Sequence, residues 1–470
     1  MNSDNINRIY FLAICGSAMA SLAVMLKSQG YDVYGSDEGV YPPMSTFLAE
    51  NNIPVFQGFD PAHLQPAPDL VVVGNVISRG NVEIEEILDR HLPYISLPDA
   101  IREFFLRGRR SIVVTGTHGK TTTTSLLAWI FDYAGRQPGF LIGGIPLNFN
   151  RGFQVGSGTD FIIEGDEYDS AFFDKAPKFL RYMPDVGIIN HIEFDHADIY
   201  NSLDEILTAF KRFVNLIPRS GLLVACYDYE TVRQASEKAF CPVQSFGLGE
   251  ENEWRAKDIT VTEGGTIFTV IHRDASLGTV QLPLFGNHNI RNALAAIAVS
   301  KFAGISFDTV KEAIAKFKGV KKRLELKGEV RGVTVYDDFG HHPTAIRETL
   351  TAFRAQHPDK RIWALFEPRT ATTRRNVFQQ ELVDAFEGAD AILIAPVHRP
   401  DKAPPGQVFS SEKLARDLQA RGKNAEHFQS VDEIVNYLIS RLRQGDLVVT
   451  FSNGPFGDIH RKLLVALDNR

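Results

Sequence analysis

At 470 residues the chain is long enough for about three domains. Its 44% hydrophobic and 23% charged content is that of an ordinary globular protein. A net charge of −7 excludes a binder that grips nucleic acid through bulk positive charge, and no apolar run reaches the ~18 residues that span a membrane.

From the N-terminus, Tyr10–Ile14 reads as a strand, and Cys15-Gly16-Ser17 turns into a helix ending at Gly30. The stretch from Tyr10 to Leu26 is apolar or small and contains Ala-Met-Ala, so it could pass for the core of a signal peptide. Only Arg8 precedes it as a positive charge, and Tyr31-Asp32-Val33-Tyr34 follows at once, which favours a strand-turn-helix-strand unit. Val33–Tyr34 is a second strand closed by Gly35-Ser36-Asp37, and Leu70–Val73 a third closed by Gly74-Asn75. This alternation is Rossmann-like. The basic cluster Arg107-Gly108-Arg109-Arg110 reads as a linker. The three cysteines, Cys15, Cys226 and Cys241, form no C-x-x-C pair; the sparse count fits a reducing cytoplasm, with the thiols as small buried residues.

The strand Ile112–Val114 leads into Thr115-Gly116-Thr117-His118-Gly119-Lys120-Thr121-Thr122, followed by the apolar run Leu126–Phe131. A strand, a glycine turn and a helix N-terminus make an anion cradle, because the glycines expose backbone N–H groups and the helix dipole favours negative charge. Lys120 can reach the β/γ-phosphates and the Thr121 hydroxyl can hold Mg²⁺. The usual loop is G-x-x-x-x-G-K-[ST]; here it is G-x-x-G-K-T, with Val114 where the first glycine would stand.

Strands Phe161–Ile163, Val186–Ile189 and Leu222–Val224 follow, each ending in polar residues. Ligands of open parallel sheets sit at the carboxyl ends of strands. After the first comes Glu164-Gly165-Asp166-Glu167-Tyr168-Asp169, whose four carboxylates repel unless solvated or joined by a cation. Beside a phosphate loop a Mg²⁺ site is the better reading, with Glu164 as first ligand. After the second comes Asn190-His191-Ile192-Glu193-Phe194-Asp195-His196-Ala197-Asp198, which would suit a second metal near the transferred phosphate, with His196 as ligand. Residues 257–284 alternate apolar and polar around Gly264-Gly265, an antiparallel addition. Phe285 to Ala293 open an apolar helix reaching Phe302; His288, Asn289 and Asn292 can pair with a base edge or simply cap the helix.

A third domain starts near Lys321, with strands Val333–Tyr336, Ile362–Leu365, Ala391–Ile394 and Leu447–Phe451 separated by helical patterns. Asp337-Asp338-Phe339-Gly340-His341-His342-Pro343 follows the first of these. The expectation is an α/β chain of three domains: a Rossmann-like domain over 1–109, a central phosphate-loop parallel sheet with a small antiparallel addition over 110–320, and a second Rossmann-like domain over 321–470.

Taken in order, these motifs resemble the Mur ligase superfamily, which builds the peptide stem of bacterial cell-wall precursors. The resemblance rests on Gly116 to Thr122, Glu164 with Asp166-Glu167, Asn190 to His196, His288-Asn289 through Asn292, Arg323, and Asp337 to Pro343. It is strongest to the branch that joins UDP-N-acetylmuramate to L-alanyl-γ-D-glutamyl-meso-diaminopimelate. Gly35-Ser36-Asp37 with Val40 to Thr46, Glu193 to Asp198, Phe366-Glu367-Pro368-Arg369 and Phe451 to His460 carry that likeness. There are departures. Ala13, Ala20 and Ser21 stand where the family has glycine, and Gly165 where it has alanine. Lys211 lies fifteen residues after His196, where some members carry a carbamylated lysine; here it reads as a helix-surface residue.

The resemblance implies a cytoplasmic, ADP-forming amide ligase using ATP and Mg²⁺, with UDP-N-acetylmuramate and a murein tripeptide as partners in cell-wall recycling. Lys120, Glu164, His196 and Arg323 would be catalytic, and Thr121, Glu164 and His196 would ligate metal. ATP would meet Gly116, Thr117, His118, Gly119, Lys120, Thr121, Thr122, His288, Asn289, Asn292, Arg323, Asp338 and His341. UDP-muramate would meet Gly16, Ser17, Ser36, Asp37, Asn75, Ser78 and His191, and Arg369 the peptide carboxylates. Two alternatives stay open: the biosynthetic ligase that adds L-alanine to the same nucleotide, and a non-catalytic protein that binds a sugar nucleotide under nucleotide control. Neither nucleic acid nor membrane is implied, and oligomeric state is left open.

Overall fold

The computed structural model describes residues 6–469. They form two compact units, the first comprising 6–192, 207–246 and 295–313, the second 193–206, 247–294 and 314–469.

The first unit holds two parallel sheets. One has the strand order Val55–Gln57, Asp32–Asp37, Arg8–Leu12, Leu70–Val73, Tyr94–Ser96. The apolar N-terminal stretch is therefore a buried strand followed by the helix Ser17–Ser28, which buries seven residues from Met19 to Leu26. Tyr10, Leu12, Val71, Val73, Ile84 and Ile87 share one core. Burying such side chains contributes about 2 kcal/mol each, which fixes the strand ends carrying the polar loops.

In the other sheet, Arg110–Thr115 lies between Val186–Ile189 and Asp160–Glu164, all parallel. Leu222–Cys226 and Val243–Gly247 extend one side, Gly139–Leu141 and the antiparallel Phe153–Gln154 the other. Two sequence expectations shift here. Glu164 is the last residue of its strand rather than the first beyond it. The basic linker is shorter than Arg107–Arg110, because Arg110 opens a strand and its Nε donates to Asp160 at 2.6 Å.

The second unit contains the antiparallel strands Trp254–Thr262, Gly265–His272 and Ala275–Leu282. Its six-stranded sheet runs Glu325–Val330, Val333–Asp338, Leu447–Phe451, Ile362–Phe366, Ala391–Ile394, Asn424–His427; only the first strand is antiparallel. Alternate residues enter opposite cores. Ile362, Ala364 and Phe366 pack on one face, Trp363 and Leu365 on the other. Burial on both faces is the mark of a doubly wound sheet and explains why these strands read as continuous apolar runs. Asp337 and Asp338 end their strand rather than follow it.

Among the described residues no helix is long and apolar enough to cross a membrane. Cys226 and Cys241 are buried as expected, but Cys15 is only half-buried. Burial and the neighbouring Asp37 push its thiol up to about 11.

Candidate active site

In the first unit the phosphate loop connects Arg110–Thr115 to the helix Lys120–Tyr133. Gly116 has φ +121°, and a Cβ there would lie 2.9 Å from both the N and the O of His191. Gly119, at φ +81°, is the residue before the helix. Only glycine takes these conformations freely, so the loop's spacing is dictated by close backbone approach as well as by ligand. Thr117 donates its N–H to the His191 carbonyl at 2.6 Å, and Asn190 donates to Thr115 O at 3.1 Å. Asn190 Nδ2 also donates to Thr123 Oγ1 at 3.0 Å. The loops after two neighbouring strands are thus tied together before any ligand arrives.

Lys120 Nζ donates to Gly116 O and to Glu167 Oε2, both at 2.7 Å. Burial opposes its charge, but Glu167, Asp166 and Glu164 outweigh it and hold its pKa above the ordinary lysine value. Lys120 therefore stays a cation. Thr121 Oγ1 donates to Glu164 Oε1 at 2.9 Å, and Glu164 Oε2 accepts from Gly143 N at 2.8 Å. A hydroxyl and a carboxylate side by side are the hard oxygen donors that Mg²⁺ prefers, so these residues fit that ion. Asp166 is paired with Lys178 at 2.9 Å, which spreads the acidic loop's charge. Thr122 is largely buried. His118 tilts towards His191 with ring centroids 5.6 Å apart. Lys211 lies exposed on the helix Leu203–Val214.

The other parallel sheet of this unit carries the residues assigned to the UDP group. Asp37 accepts from Cys15 N and Gly39 N at 2.8 Å each. Ser36 O accepts from Ala13 N and Ile14 N at 2.9 and 3.0 Å, which holds Ala13 at φ +68°. The family's glycine would take that conformation without strain; here two hydrogen bonds enforce it on alanine. Gly16 precedes the helix Ser17–Ser28 with no side-chain cap, leaving its first N–H groups open to an anion. Asn75 is half-buried and Ser78 exposed in the loop after Leu70–Val73.

Sequence reading missed Glu83. It is fully buried and accepts from Tyr10 Oη (2.9 Å), Ser36 Oγ (2.7 Å) and Asp60 N (2.9 Å), with His63 Nδ1 at 2.8 Å. Nothing in Val82-Glu83-Ile84-Glu85-Glu86 marks which acid turns inward.

The second unit gathers Arg323, Asp338, His288 and His341. Asp338 Oδ1 accepts from Gly340 N at 2.7 Å and Oδ2 from Leu324 N at 2.9 Å. Burial raises its pKa against the pull of Arg323. The Arg323 guanidinium lies 5.1 Å from the centre of the Phe339 ring, an interaction that orients a cation while leaving its N–H groups available. His288 is 3.7 Å from Glu348; burial, opposed by Glu348 and Asp338, keeps its pKa below the ordinary histidine value. Asn289 Nδ2 donates back to Phe285 O at 2.8 Å, and Asn292 Nδ2 to Asn289 Oδ1 at 3.2 Å.

His196 adopts φ +54°, its backbone N–H bonded to Asp195 Oδ1 at 2.7 Å. Burial works against the Asp195 charge, but His196, His341 and His342 hold it far below the usual carboxylate range. Thr372 donates to the same carboxylate at 3.1 Å, and His341 Nε2 is 3.9 Å away. Arg369 Nη1 lies 3.5 Å from Glu367 and 3.4 Å from His398, and its backbone N–H is held by Thr373 at 3.1 Å. A Cβ on Gly454 would strike its guanidinium, so that glycine makes room for it.

Three family models match the chain in succession: Mur ligase family, catalytic domain, over residues 8–109; Mur ligase middle domain over 114–300; and Mur ligase, glutamate ligase domain, over 322–454. The UDP-N-acetylmuramate–L-alanyl-γ-D-glutamyl-meso-2,6-diaminoheptandioate ligase of Haemophilus influenzae is 41% identical over 461 residues, covering 97% of this chain and 98% of that protein. The crystal structure of a murein peptide ligase from Psychrobacter arcticus is 38% identical, covers 98% of this chain and 99% of that one, and has a TM-score of 0.73. That of UDP-N-acetylmuramate–alanine ligase from Thermotoga maritima has a TM-score of 0.80 at 23% identity, covering 98% and 99%, a likeness of fold.

Proposed function

This chain belongs to the Mur ligase family, and from that premise we propose that it joins UDP-N-acetylmuramate to L-alanyl-γ-D-glutamyl-meso-diaminopimelate in the cytoplasm, driven by ATP with Mg²⁺. It is an ADP-forming ligase. A carboxylate is too poor an electrophile for direct attack by an amine. The lactyl carboxylate oxygen therefore bonds to the γ-phosphorus while the bond to ADP breaks. The peptide α-amine then attacks the acyl carbon, loses a proton, and phosphate leaves.

The observation that carries this reading is the Lys120–Thr121–Glu164–Glu167 cluster. Lys120, kept cationic and aimed into the loop, offsets charge on the transferred phosphoryl group. Mg²⁺, when bound, would neutralise phosphate oxygens; Thr121 and Glu164 would hold one ion, and a second would lie near Glu164 and His196. Arg323 would contact the γ-phosphate, while His288, Asn289, Asn292, Asp338 and His341 would serve the nucleotide. Gly16, Ser17, Ser36, Asp37, Asn75, Ser78 and His191 would bind UDP-muramate, and Arg369 the peptide. We divide these roles among 1–109, 110–320 and 321–470.

The test is phosphate release with ATP, UDP-N-acetylmuramate and the tripeptide. Ligation is expected from the unsubstituted protein, and at least about a thousandfold less from Lys120→Ala, the scale of losing a charge clamp on phosphoryl transfer. Near-normal turnover by that variant would remove the loop from the mechanism.

A further inference from the structure

Tyr229 lies outside the phosphate loop and the polar motifs at the strand ends. It follows the strand Leu222–Cys226 and is the residue before the helix Glu230–Ser236. Its ring lies flat on His191, with centroids 3.6 Å apart and planes 14° from parallel. An aromatic contact of this kind adds to what the buried area alone supplies, an increment that an aliphatic side chain in its place would lack.

His191 is a junction. Its carbonyl accepts from Thr117 N at 2.6 Å inside the phosphate loop, and its backbone is what a Cβ on Gly116 would strike. Its ring also leans on His118. A second strut reinforces the stack: Thr231 Oγ1 donates to Ile192 O at 2.6 Å. The strands Leu222–Cys226, Val186–Ile189 and Arg110–Thr115 are adjacent and parallel, so all three loops leave the same carboxyl end of the sheet.

We propose that Tyr229 is a positioning residue for nucleotide binding: through the flat stack on His191 it fixes the segment that anchors the phosphate loop at Thr117. The proposal rests on reading that loop as the ATP site. Tyr229 would touch neither phosphate nor metal. It limits the motion of His191, so that Gly116 to Lys120 need not be ordered when nucleotide arrives.

The test is binding of Mg-ADP to Tyr229→Leu and Tyr229→Phe, together with histidine-selective NMR. Tyr229→Leu should weaken binding roughly two- to tenfold and raise the KM for ATP alike, with kcat little changed. Tyr229→Phe, which keeps the stack, should restore both. In the unsubstituted protein and in Tyr229→Phe, one histidine, assigned by its loss in His191→Gln, should show ring protons shifted upfield by the tyrosine face. In Tyr229→Leu that shift should vanish.

Equal nucleotide binding by Tyr229→Leu and the unsubstituted protein would overturn the proposal and leave the functional reading intact. Failure of the unsubstituted protein to bind nucleotide at all would sink both. Should Tyr229→Leu not fold, the unsubstituted spectrum still decides: unshifted His191 ring protons overturn the stack on which the proposal stands, and a Tyr229→Phe variant with weakened binding overturns it too.

Discussion

Gly116 shows how a single residue type serves packing and binding at once. Its φ of +121° and the 2.9 Å approach to His191 leave no room for a methyl group, because the atoms it would meet are backbone. Gly116→Ala must displace either the phosphate loop or the Asn190–His191 segment. Strain of this kind costs about 1–3 kcal/mol, so Mg-ADP binding should weaken by roughly five- to hundredfold while the circular dichroism of the fold stays unchanged. Unaltered affinity would mean that the loop relaxes freely. His288 gives a second residue-scale test. Burial lowers its pKa below its value in the unfolded chain, so unfolded protein binds its proton more readily. Stability from neutral His288 is therefore full above the unfolded value of about 6.5 and declines as pH falls below it. Compared with His288→Gln, which cannot titrate, the unsubstituted protein should lose urea resistance as pH falls below about 6.5. A difference between the two that is independent of pH would contradict this.

Elements reveal what sequence could and could not supply. Strands buried on both faces, such as Leu70–Val73, Val186–Ile189, Ala391–Ile394 and Leu447–Phe451, announce themselves as apolar runs closed by polar residues. The motif residues at their ends were legible for the same reason: in a parallel sheet the strand end locates the chemistry. Short edge strands such as Val55–Gln57 and Asn424–His427 were not legible, because three or four mixed residues carry no period. Nor was the partner of each site residue. That Lys120 meets Glu167 and Glu83 meets Ser36 depends on how strands order themselves in the sheet, and spacing along the chain does not encode it. Glu83 makes the point measurable. Its helix, Val82–Asp89, is joined through one buried carboxylate to the strands Arg8–Leu12 and Asp32–Asp37 and to the turn at Asp60–His63. Glu83→Leu keeps a side chain of similar size but removes the carboxylate and strands those donors. Leaving them unsatisfied should cost about 3 kcal/mol or more in denaturant unfolding. A loss below about 0.5 kcal/mol would show that water replaces the carboxylate.

Across the whole molecule, likeness to known ligases extends through all three successive segments, so the choice of amine is a property of particular residues within a shared scaffold. The tripeptide differs from free L-alanine chiefly in carrying further carboxylates beyond the reacting amine. A guanidinium held in place by its own framework is the group that distinguishes such ligands, since it binds carboxylates in a fixed planar geometry. Arg369 meets that description: Glu367, His398 and Thr373 fix it, and Gly454 leaves space beside it. With UDP-N-acetylmuramate saturating, phosphate release is expected to be much faster with the tripeptide than with L-alanine. Arg369→Ala should raise the KM for the tripeptide roughly tenfold or more, the scale of a lost charged hydrogen bond, and leave the KM for UDP-N-acetylmuramate nearly unchanged. If L-alanine proves the better amine, the chain works with the alanine-adding ligases. If the tripeptide is preferred but Arg369→Ala changes both KM values alike, Arg369 supports the fold of its strand end rather than reading the peptide, and the carboxylates are held by other groups.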